Sequence, residues 1–99
     1  MKVNMKLKDP AIVQLISFSD DIVSDQKVFF EGTAQQLRDQ QFGLEWDGFN
    51  LGDRFTVEDN EVKVFKVTEE FGSNLEVSKI KYLIGPTHLD TDKVNKAVN

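Results

Sequence analysis

Cysteine is absent from this 99-residue chain, and histidine occurs once, at His88. The first absence excludes disulfides, zinc–thiolate sites and a cysteine nucleophile, and it fits a reducing compartment. The second excludes a metal site built from several histidines of one chain. No run approaches the ~20 consecutive apolar residues of a membrane span. Lys2, Lys6 and Lys8 precede the apolar run Ala11 to Phe18, but Gln14 and Ser17 interrupt that run and Asp20-Asp21 closes it, so it is too broken for a secretory signal. The cytoplasm is the expected location. The six glycines lie apart, so there is no glycine-rich loop to cradle a phosphate. Internal repeats, low-complexity tracts and linkers are also lacking.

Catalytic signatures are equally scarce. No serine sits in a Gly-x-Ser-x-Gly elbow, and Gly85-Pro86-Thr87-His88 matches no catalytic motif. His88 reads as a solvated loop residue rather than a general base. Asp90-Thr91-Asp92 with Asn95 has the start of a calcium loop without its sixth-position glycine or closing glutamate, and reads as a helix cap. Seventeen carboxylates supply ample acid–base chemistry, but a working pair requires a pocket, and a core this small leaves little volume for one. No catalytic residue, metal site or cofactor is expected, and the chain reads as a non-enzyme.

What is present is a modest apolar complement, 39% of residues with eight phenylalanines, and a net charge of −5. A single domain spanning residues 1–99 is expected, burying roughly two-thirds of the surface of its unfolded chain. The charge is segregated. Residues 1–8 sum to +3, residues 9–61 to −9 and residues 62–99 to +1. An acidic middle repels nucleic-acid phosphates and favours a basic partner, although net charge of this size also serves solubility alone.

The periodicity predicts an α+β fold. Val3, Met5 and Leu7 alternate with polar residues as a strand would. Asp9-Pro10 is an N-cap followed by proline at the first helical position, which predicts a short helix with Ile12, Leu15 and Ile16 inward; a strand buried on both faces is the alternative. Val28-Phe29-Phe30, within Lys27–Glu31, is strand-like, and Thr33-Ala34-Gln35-Gln36 has capping-box spacing for a helix from Ala34 to about Gln41, inward at Ala34 and Leu37. A four-stranded antiparallel β-meander follows over about residues 42–84. Its first turn is Asp47-Gly48, with Trp46 facing Phe49 and Leu44 facing Leu51. The second is Asp59-Asn60, pairing Val57 with Val62 and Phe55 with Val64. The third, around Phe71-Gly72-Ser73, sets Val64 opposite Ile80 and Val62 opposite Tyr82. Asp90 or Thr91 then caps a terminal helix to about Val98.

The string Val28 to Leu37, with Lys6–Asp9, Asp20–Val23 and Val77–Ile80, resembles a pattern in short accessory proteins of Gram-positive phages and mobile elements. Those proteins combine a lysine-rich start, a small hairpin, and Phe-Glu-Gly-Thr-Ala leading into a helix. The resemblance covers about a third of the chain and implies a genomic setting rather than an activity.

These readings together point to a non-catalytic protein-interaction module for a partner with a basic surface, such as a host defence nuclease. The candidate contacts are Trp46 and Phe49 as aromatic anchors, with Asp20, Asp21 and Asp25 in one acidic turn and Glu58, Asp59 and Glu61 in another. Two alternatives remain. One is an assembly component that oligomerises through its sheet edge. The other is nucleic-acid binding by Lys63, Lys79 and Lys81 beside Phe65, which the acidic total and the presence of only two arginines make unlikely.

Overall fold

The computed structural model describes residues 7–19, 25–73 and 76–98. Its elements are β1 (Ile12–Ser17), β2 (Lys27–Thr33), α1 (Ala34–Leu37), which widens into a π-helical turn over Arg38–Phe42, then β3 (Arg54–Val57), β4 (Asn60–Phe71), β5 (Val77–Pro86) and α2 (Thr91–Val98). The strands form one five-stranded sheet in the order β2-β1-β5-β4-β3. Neighbours run antiparallel except β1 and β5, which are parallel. The class is α+β as expected, but the sheet is mixed, and only β3, β4 and β5 form a meander.

The segment after Asp9-Pro10 is strand β1, not a helix. Asp9 is occupied elsewhere: its carbonyl accepts from Gln35 N–H at 3.2 Å and its carboxylate from Arg38 Nη1 at 2.7 Å. Flanked by β2 and β5, the strand buries Val13 and Leu15 on one face and half-buries Ile12 and Ile16 on the other. That near-continuous apolar run is what a central strand covered on both faces requires. Of the expected N-terminal strand, Val3 and Met5 lie outside the described residues; Leu7 is buried in the core.

The capping box forms as read. Gln36 N–H donates to Thr33 Oγ1 at 3.2 Å, and Thr33 N–H donates to Gln36 Oε1 at 2.8 Å. Ala34 and Leu37 are buried beneath it. The helix then widens: Gly43 N–H reaches back five residues to the Arg38 carbonyl at 3.0 Å.

No hairpin forms at Asp47-Gly48. Residues 43–53 are a chain of turns laid over the sheet, beginning with Trp46 N–H donating to the Gly43 carbonyl at 3.1 Å. The β3–β4 turn has Glu58-Asp59 at its tip, one residue earlier than expected, with both residues at positive φ (48° and 67°), as a primed hairpin turn demands. Val57 therefore pairs with Asn60 and Phe55 with Val62. Along β4 and β5 the register is Val64 with Ile84 and Val62 with Pro86, four residues from the expected one. An even shift keeps every side chain on its face, so the predicted inward residues remain inward. A bulge at Phe65 then turns Lys66, Thr68 and Glu70 to the outer face.

Two clusters hold the layers together. On the inner face Val13, Leu15, Val64, Ile80, Tyr82 and Ile84 meet Ala34, Leu37 and the aromatic side chains of the 43–53 loop. On the outer face Phe65, Leu83 and Phe18 are covered by Val94 of α2. Asp90 caps that helix, its Oδ1 accepting from Asp92 N–H at 2.8 Å and Lys93 N–H at 3.3 Å.

Candidate functional site

The 43–53 loop is held by two polar anchors that its sequence does not advertise. Arg38 is buried. Its Nε donates to the Trp46 carbonyl at 2.8 Å, and its Nη2 donates to the Leu7 carbonyl. Asp47 completes the arrangement, its Oδ1 accepting from Leu7 N–H at 2.8 Å and standing 3.9 Å from Arg38 Nη2. Tyr82, buried on β5, accepts from Phe49 N–H at 3.0 Å. Burial pushes its hydroxyl up from 10.0 to about 12; the Phe49 N–H opposes this, and the carboxylates of Glu69, Asp47 and Asp53 add to it.

These anchors gather Phe42, Trp46, Phe49 and Phe55 into one aromatic cluster. Trp46 lies 5.0 Å from Phe42 and 5.2 Å from Phe49, ring centre to ring centre, and Phe49 stacks on Phe55 at 4.3 Å. Trp46 and Phe49, proposed from sequence as anchors at a hairpin tip, are half-buried within this cluster, in a loop rather than at a hairpin tip. The most exposed apolar residues of the loop are Leu44 (73%) and Leu51 (57%).

The inner face is left uncovered at one end of the sheet. Ser17, Ser19, Asn60, Val62, Ile84 and Pro86 belong to the inward-facing alternation of β1, β4 and β5, and with Phe18, Glu61 and Gly85 they line a cleft of about 390 Å³. None of these residues comes from the helix or the 43–53 loop. Phe18 N–H donates to the Ile84 carbonyl at 3.1 Å and closes the strand end above the outer cluster. The floor is apolar and the rim is polar. Ser19 Oγ hydrogen-bonds Asp25 Oδ2, which brings Asp25 to the same end as the Glu58-Asp59-Asn60-Glu61 turn. Asp20 and Asp21 lie outside the described residues.

The structure thus brings Asp25, through Ser19, to the end of the sheet where the cleft opens, and Glu58 and Asp59 are exposed on the adjoining turn. The Glu61 side chain, between inward Asn60 and Val62, points to the outer face toward Arg54. Trp46 and Phe49 stand apart from the cleft, joined through Phe55, which pairs with Val62 on the floor. Comparisons with protein-family models, curated proteins and solved structures return no match.

On the outer face, Lys63 Nζ donates to the Leu89 carbonyl at 2.9 Å and lies 5.0 Å above the Phe65 ring. That ring is buried under α2 and offers no stacking platform. Lys79 stands 3.8 Å from Glu31 and Lys81 3.4 Å from Glu70. The expected lysine face is thus partly neutralised, and Phe65, the aromatic expected beside it, is not available for base stacking. Among the described residues, no helix is long and apolar enough to cross a membrane.

Sequence reasoning missed Ser17, Ser19 and the cleft because it read residues 11–18 as a helix. Taken as a strand, the inward series Val13, Leu15, Ser17, Ser19 turns from apolar to polar where the covering layer ends. Arg38 carried no signal, since an arginine in a short capped helix is ordinarily a surface residue.

Proposed function

We propose that this protein is a non-catalytic protein-interaction module that engages a basic surface through the acidic end of its sheet at the β3–β4 turn. The observation that carries this reading is the convergence of Asp25, held by Ser19, and the Glu58–Glu61 turn, remote in sequence, at one end of the sheet beside a cleft lined by Val62, Ile84 and Pro86. Carboxylates at a rim steer a cationic partner and set its orientation, while apolar floor area supplies affinity. The resemblance to accessory proteins of Gram-positive phages and mobile elements suggests the setting: a cytoplasmic accessory protein acting on a host protein, with a defence nuclease one candidate.

The test is a photo-crosslinking side chain at Asn60, with the same group at Lys96 as control, followed by binding kinetics with the trapped protein. Association should slow about tenfold when Glu58 and Asp59 are both replaced by lysine, and the difference should shrink as salt is raised. A partner trapped at Asn60 whose association ignores both changes would overturn the reading.

A second reading rests on β2. It is an edge strand with Val28 (57%) and Phe29 (39%) exposed, and it suits an assembly component adding its sheet edge to a neighbour. The bulge in its pairing with β1, between Leu15 and Ile16, opposes regular edge pairing. Sedimentation at micromolar concentration separates the two readings, since an assembly component associates with itself and an interaction module stays discrete.

A further inference from the structure

Two segments without strand or helix share one buried cation on the inner face. Leu7 to Asp9 forms a strap, and residues 44–51 form a cover between Gly43 and Gly52. Arg38, only 4% exposed, is bonded to both. Its Nε donates to the Trp46 carbonyl at 2.8 Å, its Nη1 to the Asp9 carboxylate at 2.7 Å and its Nη2 to the Leu7 carbonyl. Strap and cover are also bonded to each other, since Leu7 N–H donates to Asp47 Oδ1 at 2.8 Å. Among the described residues, every polar partner of the Arg38 side chain lies in one of these two segments. None of these bonds belongs to a strand ladder. The cover has one further bond, from Phe49 N–H to the Tyr82 hydroxyl, and it too ends on a side chain.

We infer that strap and cover are one conformational device: they open together, with Arg38 as the latch and Gly43 and Gly52 as hinges, while the five-stranded sheet stays folded. The buried charge sets this coupling. If the cover lifted alone, Arg38 would lose the Trp46 carbonyl and Leu7 N–H would lose Asp47, with the guanidinium still under the strap. If the strap lifted alone, the guanidinium would lose the Leu7 carbonyl and the Asp9 carboxylate while still under the cover. A charge left buried and short of partners costs more than one returned to water, so half-open forms are disfavoured against release of both segments. The hinges fit the motion. Gly43 and Gly52 have φ of +91° and +90°, and a Cβ at either would meet nothing within 4 Å, so the backbone there can turn freely. Opening uncovers the Tyr82 and Phe55 rings, against which Phe49 packs in the closed form. The chain thus holds an aromatic surface in reserve, separate from the acidic turn and governed by one arginine.

The experiment is native-state amide hydrogen exchange of the full chain, read by nuclear magnetic resonance at a series of low denaturant concentrations. The Leu7 and Phe49 amides report the strap and the cover, and the central-strand amides of Leu15 and Ile80 report the sheet. Leu7 and Phe49 should share one opening equilibrium and one denaturant slope, with protection roughly a hundredfold below that of Leu15 and Ile80. Tyr82→Phe removes a hydroxyl bonded to the cover, and it should lower protection of the strap amide, Leu7, roughly fivefold. Val94→Ala, beneath α2 on the opposite face, should lower protection of Leu15 and Ile80 and leave Leu7 and Phe49 unmoved, because the open form keeps that packing. Different opening equilibria for Leu7 and Phe49 would overturn the inference. So would a Leu7 amide indifferent to Tyr82→Phe. A fall in Leu7 and Phe49 protection on Val94→Ala would do the same, since it would mean that strap and cover are released only when the whole sheet unfolds.

Discussion

The Tyr82 hydroxyl accepts a hydrogen bond from the backbone N–H of Phe49 at 3.0 Å, across 33 residues of sequence. It is the only tyrosine in the chain, so its ionisation can be followed alone by the ultraviolet absorbance of phenolate. Burial raises its folded value to about 12 from 10.0. The folded state thus holds the proton more tightly than the unfolded state. Its contribution is complete below pH 10.0 and is lost as pH rises toward about 12. The full loss is of order 3 kcal/mol. Chemical denaturation at a series of alkaline pH values should show the decline beginning near the unfolded value, and Tyr82→Phe should flatten it.

Gly48 provides a test in which conformation and contact separate. Gly43, Gly48 and Gly52 all have φ near +90°, but a Cβ on Gly48 would meet the Tyr82 hydroxyl at 2.6 Å, whereas nothing lies within 4 Å at the other two. Gly52→Ala should cost about 1 kcal/mol, the expense of an L-residue at positive φ. Gly43→Ala should cost about 1–3 kcal/mol, because its ψ of 162° places it in an extended positive-φ region that side chains avoid. Gly48→Ala should cost at least about 1 kcal/mol more than Gly52→Ala, as overpacking adds to that strain. Equal midpoints for Gly48→Ala and Gly52→Ala in denaturant would contradict the close approach of the loop to β5.

Arg38 ties the segment before β1 to the loop, and neither lysine nor methionine can reproduce its fork. Arg38→Met leaves the Leu7 and Trp46 carbonyls without their donor and should destabilise by about 3 kcal/mol. Arg38→Lys should recover only part of this, because one ammonium replaces three differently directed contacts. Amide exchange should locate the opening at residues 43–49 in both variants.

Trp46 and the loop leucines should respond in opposite ways. Trp46→Ala removes a half-buried ring from the aromatic cluster and should lower stability by about 3 kcal/mol. Replacing exposed Leu44 and Leu51 by alanine should leave it within about 0.5 kcal/mol. A stable Trp46→Ala variant, measured by thermal melting, would show the ring to be dispensable for packing.

The parts of this fold that were legible in the sequence are those whose hydrogen bonds close locally. Thr33 and Gln36 satisfy each other three residues apart, and Asp90 caps α2 within the next turn, so composition and spacing sufficed for both. The inward faces of β3, β4 and β5 were also readable, because alternation survives an even slip of register. What failed was decided at long range. Asp9 looked like a helix cap, yet its partners are Gln35 and Arg38. Asp47-Gly48 looked like a hairpin turn, yet Asp47 holds Leu7 and Gly48 lies against Tyr82. Trp46 and Phe49 are neighbours as expected, but the cause is a π-helical turn and a tyrosine rather than two paired strands. The candidate site was half visible: the acidic segments stood out by charge, and the cleft beside the Glu58–Glu61 turn emerged only once β1, β4 and β5 were in place.

The position of β5 governs the order in which the molecule can be built. β1 with β2 and β3 with β4 each close within a short stretch of chain, but neither hairpin touches the other in the sheet. On β5, Val13 and Leu15 of β1 lie beside Ile80 and Tyr82, while Val64 and Val67 of β4 lie opposite Ile84 and Tyr82. Until β5 slides between them, Val13, Leu15 and Val64 have no common core, and both hairpins present open edges to solvent and to other chains. During synthesis the nascent chain therefore carries two unjoined halves until β5 has left the ribosome, and completion of the sheet is the event that ends its exposure to aggregation.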